Sequence, residues 1–270
     1  MSEGEDGLDG ERQSREFVQS LSRGLEVIQA FSADTPVLSL GGVCEKTGLN
    51  RATARRFLLT LVGMSYVGTD GRLFWLTPRV LELGYAYLSG FAAPDIALPH
   101  LEHLAAEMQE SCEMAVLDGT DIVYVLRVVG PRILTVSTTV GSRLPAHLTA
   151  PGRVLIAGLP ENELDDYLAD FVKLDRDRRG MTMGTLRDSL ERVRLDGWSI
   201  VDQELEQGLR SVAAPVRDIT GRVIVAVGMP THAARRSVES IRDELVPKLL
   251  SSVKQIELDL HLSGLQSSSG

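Results

Sequence analysis

The stretch from Thr47 to Val62 constrains this chain more than any other. Thr47-Gly48-Leu49 reads as a tight turn, because glycine adopts the left-handed backbone that closes a helix, and Asn50 follows as a helix N-cap. Ala54, Leu58 and Leu61 then recur at helical spacing with Phe57 and Val62 beside them, while Arg51, Thr53, Arg55 and Arg56 fill the rest of the first two turns. The predicted helix is apolar behind and basic in front. Upstream, Ser39 is a good N-cap for a short helix that buries Leu40 and Val43 and stops at Gly48. A first helix is predicted from about Ser20 to Ala33, with Leu21, Leu25, Ile28 and Phe31 as its buried stripe and Pro36 beyond its end. Downstream, Tyr66-Val67 and Leu73 to Leu76 read as strands joined by Thr69-Asp70-Gly71-Arg72, whose Asp-Gly is a hairpin signal. Helix, helix, turn, helix, hairpin is a winged helix-turn-helix.

A basic helix face can be no more than a solvated surface, and that reading stands as the alternative. The position of this one favours DNA, since the third helix of such a module enters the major groove and its first turns meet base edges. Arginine suits guanine edges and phosphates, and Asn50 and Thr53 suit bases or backbone, while Arg72 on the wing can reach the minor groove or a phosphate. Charge is distributed accordingly. The chain's net charge is −9, which argues against indiscriminate nucleic-acid binding, but residues 1–14 carry −4, residues 15–79 carry +3 and residues 80–270 carry −8.

With 270 residues, of which 43% are hydrophobic, the chain can bury a second core. Thr77-Pro78 opens a helix through about Leu88 whose Val80, Leu81, Leu83 and Leu88 leave apolar surface for a partner subunit, with packing against its own wing as the alternative, and Ser89 to Ala93 reads as a linker. Beyond it, Ile96, Leu101, Leu104, Ala105 and Met108 mark an amphipathic helix. Strands are predicted at Glu113–Leu117, Ile122–Val129 and Ile133–Thr138, helices at about Pro151–Leu159, Glu161–Phe171 and Thr185–Asp196, and a strand-rich stretch from Trp198 to Met229. Val238, Ile241, Leu245, Leu249, Val253, Ile256 and Leu260 form a long amphipathic tract that Pro247 must interrupt or kink.

Enzyme signatures are absent: there is no GxSxG, HExxH, Walker A, or GxGxxG after a strand. Ser251 to Lys254 matches SxxK without companion motifs. His100 and His103 lack further ligands for zinc. The acidic run Asp202 to Glu206 reads as a solvated loop. Cys44 and Cys112 have no metal-ligand spacing and read as free thiols of a reducing compartment. No cofactor is implied. Without a secretory start or a run near the ~20 apolar residues that span a bilayer, the expectation is a cytoplasmic protein with no membrane partner.

Two blocks carry a resemblance. The run GLNRATARRFLLTL from Gly48 to Leu61, with Gly71 to Phe74 and LTPRVLELG from Leu76 to Gly84, resembles the IclR family of bacterial transcription regulators. Leu144-Pro145-Ala146-His147, Thr149 to Arg153, Asp202 to Glu206 and Gly208 to Val216 resemble the family's effector-binding domain, so the likeness runs from about Ser20 to Leu262. The wording RATARRF and DQELExGLRS is similar to the branch that regulates breakdown of protocatechuate, 4-hydroxybenzoate and β-ketoadipate.

The resemblance implies an α+β fold: a winged helix-turn-helix over 15–77, a linker helix over 78–93, and a GAF-like α/β effector domain over 94–262 with an antiparallel sheet flanked by helices. Residues 1–14 and 263–270 would be disordered. It implies a homodimer or dimer of dimers on a palindromic double-stranded DNA operator, with a small carboxylic acid as effector. Family members hold that acid partly on backbone N–H groups at the positions of Ala150 and Pro151. Pro151 has no N–H to give, so anion capture here would shift to Ala150, Gly152, Arg153 or Arg210. Leu209, Arg210 and Ser211 match other pocket positions and Leu144 fits an apolar wall, with a structural ion pair as the alternative role for Arg210. A winged-helix enzyme and a sensor without DNA binding remain as rival functions.

Overall fold

The computed structural model describes residues 17–131, 138–174 and 180–267. The chain divides between Gly90 and Phe91 into two compact units. The first contains α1 (Gln19–Gln29), β1 (Val37–Ser39), α2 (Leu40–Thr47), α3 (Arg51–Gly63), β2 (Val67–Thr69), β3 (Leu73–Leu76), a 3-10 turn at Pro78–Val80 and α4 (Leu81–Ser89). Local chemistry sets the helix ends. Ser39 Oγ accepts the Gly42 N–H at 3.2 Å, Gly48 closes α2 at φ +67°, and Asn50 Oδ1 accepts the Thr53 N–H at 2.9 Å.

Two expectations for this unit need correction. The wing has three strands in the order β1-β3-β2, because Val37–Ser39 pairs with β3, a strand too short to carry a periodic signal. The buried line of α1 runs through Val27 rather than Leu21 and Leu25, which are 64% and 44% exposed, because the first turns of the helix run past a small core built on Val27, Val43, Ala54, Leu58 and Phe74.

The second unit is a six-stranded antiparallel sheet in the order β6-β5-β4-β9-β8-β7. Its strands are β4 (Cys112–Asp118), β5 (Asp121–Val128), β6 (Arg143–Pro145), β7 (Ser199–Asp202), β8 (Leu209–Arg217) and β9 (Val223–His232). Its main helices are α5 (Ala93–Met108), α6 (Ala150–Ala157), α7 (Glu161–Lys173), α8 (Met183–Asp196) and α9 (Val246–Ser267). Strand alternation builds two cores. Val212, Ala214 and Val216 with Val225, Val227 and Met229 pack with α5 and α9, whereas Ala213 and Ala226 with Ala115 and Ile122 pack with α6, α7 and α8.

Strand β6 was not foreseen; it pairs Leu144 with Ile122. The strand expected over 133–138 lies outside the described residues except for Thr138, as do the N-terminal segment through residue 16 and the tail from residue 268. Pro247 interrupts the α-helical ladder locally without ending the helix. The turn before it, Ile241–Leu245, is widened, with the Val246 N–H reaching the Ile241 carbonyl five residues back, and α9 continues beyond.

Candidate functional site

The N-terminal turns of α3 present Arg51, Arg55 and Arg56 to solvent, and among the described residues none of the three makes a hydrogen bond or ion pair. Ala54, Leu58 and Leu61 are buried behind them, so packing fixes the helix while leaving its cations free. At roughly 100° per residue, Arg51 and Arg55 lie on adjoining lines and Arg56 about a quarter turn further round. There Arg56 and the half-buried Thr53 share a surface groove with Gln19, Ser20 and Arg23 of α1, a cation the sequence reading had not singled out. Asn50 spends its Oδ1 on the cap. On the wing, Asp70 Oδ1 accepts the N–H groups of Arg72 and Leu73, both at 2.8 Å, and these bonds hold the Asp70 carboxyl below its usual range. The turn is thereby fixed and the Arg72 side chain is exposed at its tip.

In the second unit, a cavity lies between the sheet and α6. Leu144, Leu148, Pro151, Val201, Leu205, Leu209 and Pro230 make its apolar wall, and Glu113, Tyr124, Thr138, Thr149 and Ser211 contribute polar atoms. Only about 20 Å³ of the cavity admits the centre of a water molecule. That holds about one water. A ring-sized ligand therefore requires the wall to part.

Helix α6 begins at this cavity. Thr149 Oγ1 accepts the Gly152 N–H at 3.0 Å and its carbonyl accepts the Arg153 N–H at 3.0 Å. Pro151 has none to give, so Ala150 is the residue of the first turn whose N–H these caps do not engage. Gly152 is a packing residue rather than a spare donor. A Cβ there would lie 2.0 Å from the Ala146 carbonyl oxygen.

Two expected ligand groups are held elsewhere. Leu209 and Ser211 face the cavity, and strand alternation turns Arg210 to the opposite face, where Nε bonds Asp202 at 2.6 Å and Nη1 bonds the Arg236 carbonyl at 2.7 Å. Arg153 is 5% exposed and does not line the cavity. Its Nε donates to the His147 carbonyl at 2.9 Å and its two Nη groups grip both oxygens of Glu204. The acidic run is therefore no merely solvated loop. Asp202 and Glu204 fasten the segment that carries Leu205, and Arg210 holds the Asp202 carboxyl below its usual range.

The other chemical candidates find ordinary roles. His100 Nε2 lies 2.8 Å from Asp259, and among the described residues no cluster of three metal-ligating side chains occurs. Both cysteines are free thiols, Cys112 being pushed up to about 12 by burial. No helix among the described residues is long and apolar enough to cross a membrane.

Comparison with known proteins agrees with this architecture. The model of the IclR helix-turn-helix domain matches residues 20–71, and that of the bacterial transcriptional regulator IclR C-terminal domain matches residues 85–258. The chain is 38% identical to the Pca regulon regulatory protein of Pseudomonas putida, over 89% of this chain and 84% of that one. It is 30% identical to the p-hydroxybenzoate hydroxylase transcriptional activator of Acinetobacter baylyi, over 91% and 93%. Among solved structures, RHA06195 of Rhodococcus sp. RHA1 is 50% identical with a TM-score of 0.77, covering 90% of this chain and 98% of that one. An IclR homologue from Microbacterium hydrocarbonoxydans, solved in complex with 4-hydroxybenzoate, shares the fold at 24% identity and a TM-score of 0.75, covering 89% and 98%. With a free basic recognition helix in one unit and a narrow, mostly apolar cavity in the other, this chain belongs to the IclR family of DNA-binding bacterial transcriptional regulators.

Proposed function

We propose that the chain binds a palindromic operator as a homodimer or dimer of dimers, reading DNA with Arg51, Thr53, Arg55, Arg56 and Arg72, and that a small aromatic carboxylic acid in the cavity is its effector. The observation that carries the DNA-reading surface is the set of unpaired arginines on a helix whose opposite face is locked in the core. Asn50 contributes the cap that orients the first turn. A single winged helix offers few base contacts, so symmetry doubles the site. We assign DNA reading to residues 15–77, linkage to 78–93, and sensing and assembly to 94–262. No catalytic step is assigned, and a regulator of this kind works in the cytoplasm, where its operator is.

For the effector, the apolar walls at Leu144, Leu205 and Leu209 suit a ring, and Ala150 and Ser211 are the donors left for a carboxylate near the positive end of the α6 dipole. The relatives' names, a Pca regulon regulatory protein and a p-hydroxybenzoate hydroxylase transcriptional activator, support the class. Arg153 and Arg210 act here by fastening the Leu205 segment. Titration calorimetry with protocatechuate, 4-hydroxybenzoate, β-ketoadipate and simple aliphatic acids tests the reading. Saturable binding of one of the first three is expected; heat from none of them contradicts the sensor, and preference for an aliphatic acid contradicts the aromatic class.

A further inference from the structure

The cavity that this reading treats as an effector pocket has a carboxyl group and no cation among its described lining residues. Glu113 is 3% exposed and lines the cavity wall from β4. On β9 its cross-strand neighbour is Gly228, where a Cβ would crowd Pro151 at 2.8 Å while touching the Glu113 side chain only at an ordinary 3.5 Å, so the glycine lets the α6 proline close over the strand beside Glu113. The Tyr124 hydroxyl donates to the Glu113 carboxyl, and Thr138 Oγ1 lies 3.4 Å from its Oε2.

The groups that bear on it can be named from each neighbouring element. On β5 they are Tyr124 and Arg127, the latter directly across the strand pair, and along its own strand it is Cys112. Gly228 on β9 and Pro151 on α6 bring no charge. Arg127 attracts it through space, yet no ion pair joins the two among the described residues. The nearest arginines of the effector-domain motifs are committed, Arg153 to Glu204 and Arg210 to Asp202. An ionised Glu113 and a ligand carboxylate would thus share one dry space, where like charges repel strongly.

We propose that Glu113 determines specificity in this cavity by entering the complex as the neutral acid, so that a carboxylate ligand binds together with one proton and accepts the Glu113 O–H as a hydrogen bond. Charge balances: the ligand brings one negative charge, the proton neutralises Glu113, and the only anion in the cavity is the ligand's own. Burial pushes the empty site's carboxyl up to about 7, so a modest further rise on binding completes protonation under ordinary conditions. The same group disfavours ligands that present only acceptors to both ends of the cavity at high pH.

The test is calorimetry of the full-length protein with 4-hydroxybenzoate and protocatechuate in buffers of different ionisation enthalpy, from about pH 6 to about pH 8.5. In the wild type, Kd should be flat at the acid end and rise about tenfold per pH unit above about pH 7, with uptake approaching one proton. Glu113→Gln should bind with a pH-independent Kd and take up no proton. The wild-type proton count needs no variant and stands if the substitution impairs folding. A pH-flat wild-type Kd without proton uptake overturns this inference alone, as does a wild-type pH profile in Glu113→Gln. Failure of every acid to bind at any pH overturns the effector reading and this inference with it.

Discussion

Asn50, Ser39 and Gly48 show how much of a fold is written within four residues. Each cap depends on a partner three or four positions away, so each was legible in the sequence. Arg153 and Arg210 show the opposite. The carboxylate that grips Arg153 comes from position 204, and nothing local announces it. Arg210 is a different case, since alternation alone separates it from Leu209 and Ser211, a signal present in the sequence but outweighed there by motif likeness. Gly152 likewise owes its identity to the Ala146 carbonyl, a close approach visible only in three dimensions. Glu113 was placed on a strand from the start, but a strand's first glutamate carries no sign of being buried.

Its titration has a consequence for stability. A folded-state value of about 7, above the ordinary 4.5, means that the folded protein holds this proton more tightly than the unfolded chain does. The associated stability is whole below about pH 4.5 and is lost as pH rises towards about 7. Glu113→Gln should therefore gain on the wild type between about pH 5 and about pH 8, by on the order of 2 to 3 kcal/mol. Thermal or urea unfolding of both proteins across that range measures the difference; parallel curves would contradict the burial-driven shift.

At the scale of elements, helices with a continuous apolar line were foreseen well. The α9 tract buries Ile241, Leu245, Leu249, Val253 and Ile256 as its spacing requires. Two three-residue strands were not, because β1 and β6 are defined by what they pair with rather than by a period, whereas β2 was announced by its hairpin turn. In α1 the predicted stripe holds at Ile28 and Phe31 and fails at Leu21 and Leu25, since a helix that starts beyond its core leaves its first apolar positions uncovered. Helix α3 separates the two jobs most cleanly, with Ala54, Leu58 and Leu61 holding it and the arginines unengaged. Arg51→Ala or Arg55→Ala should cost ~1 to 3 kcal/mol of specific DNA binding if the side chain reads a base, and should shift unfolding by less than about 0.5 kcal/mol. Paired binding isotherms and melting curves check both halves, and loss of stability matching the loss of binding would assign these residues to the fold instead.

For the whole molecule, the exposed side chains of α4 bear on assembly. Leu81, Leu83, Tyr85 and Tyr87 stay between 51% and 71% exposed within their own unit. Apolar surface concentrated on one short helix is uncommon on a monomer. Sedimentation at micromolar concentration should give a dimer or tetramer of the 29.4 kDa chain. A monomer, with or without DNA, would contradict the expected symmetry of the operator.

The proposed link between a DNA-reading helix and an acid-binding cavity is tested most directly by fluorescence anisotropy on DNA flanking the protein's own gene. Wild-type protein should bind that DNA in a saturable way, 4-hydroxybenzoate or protocatechuate should shift the midpoint, and the Arg51, Arg55, Arg56 triple alanine variant should lose the binding. Unchanged affinity in the triple variant, or a midpoint that no aromatic acid moves, would contradict it.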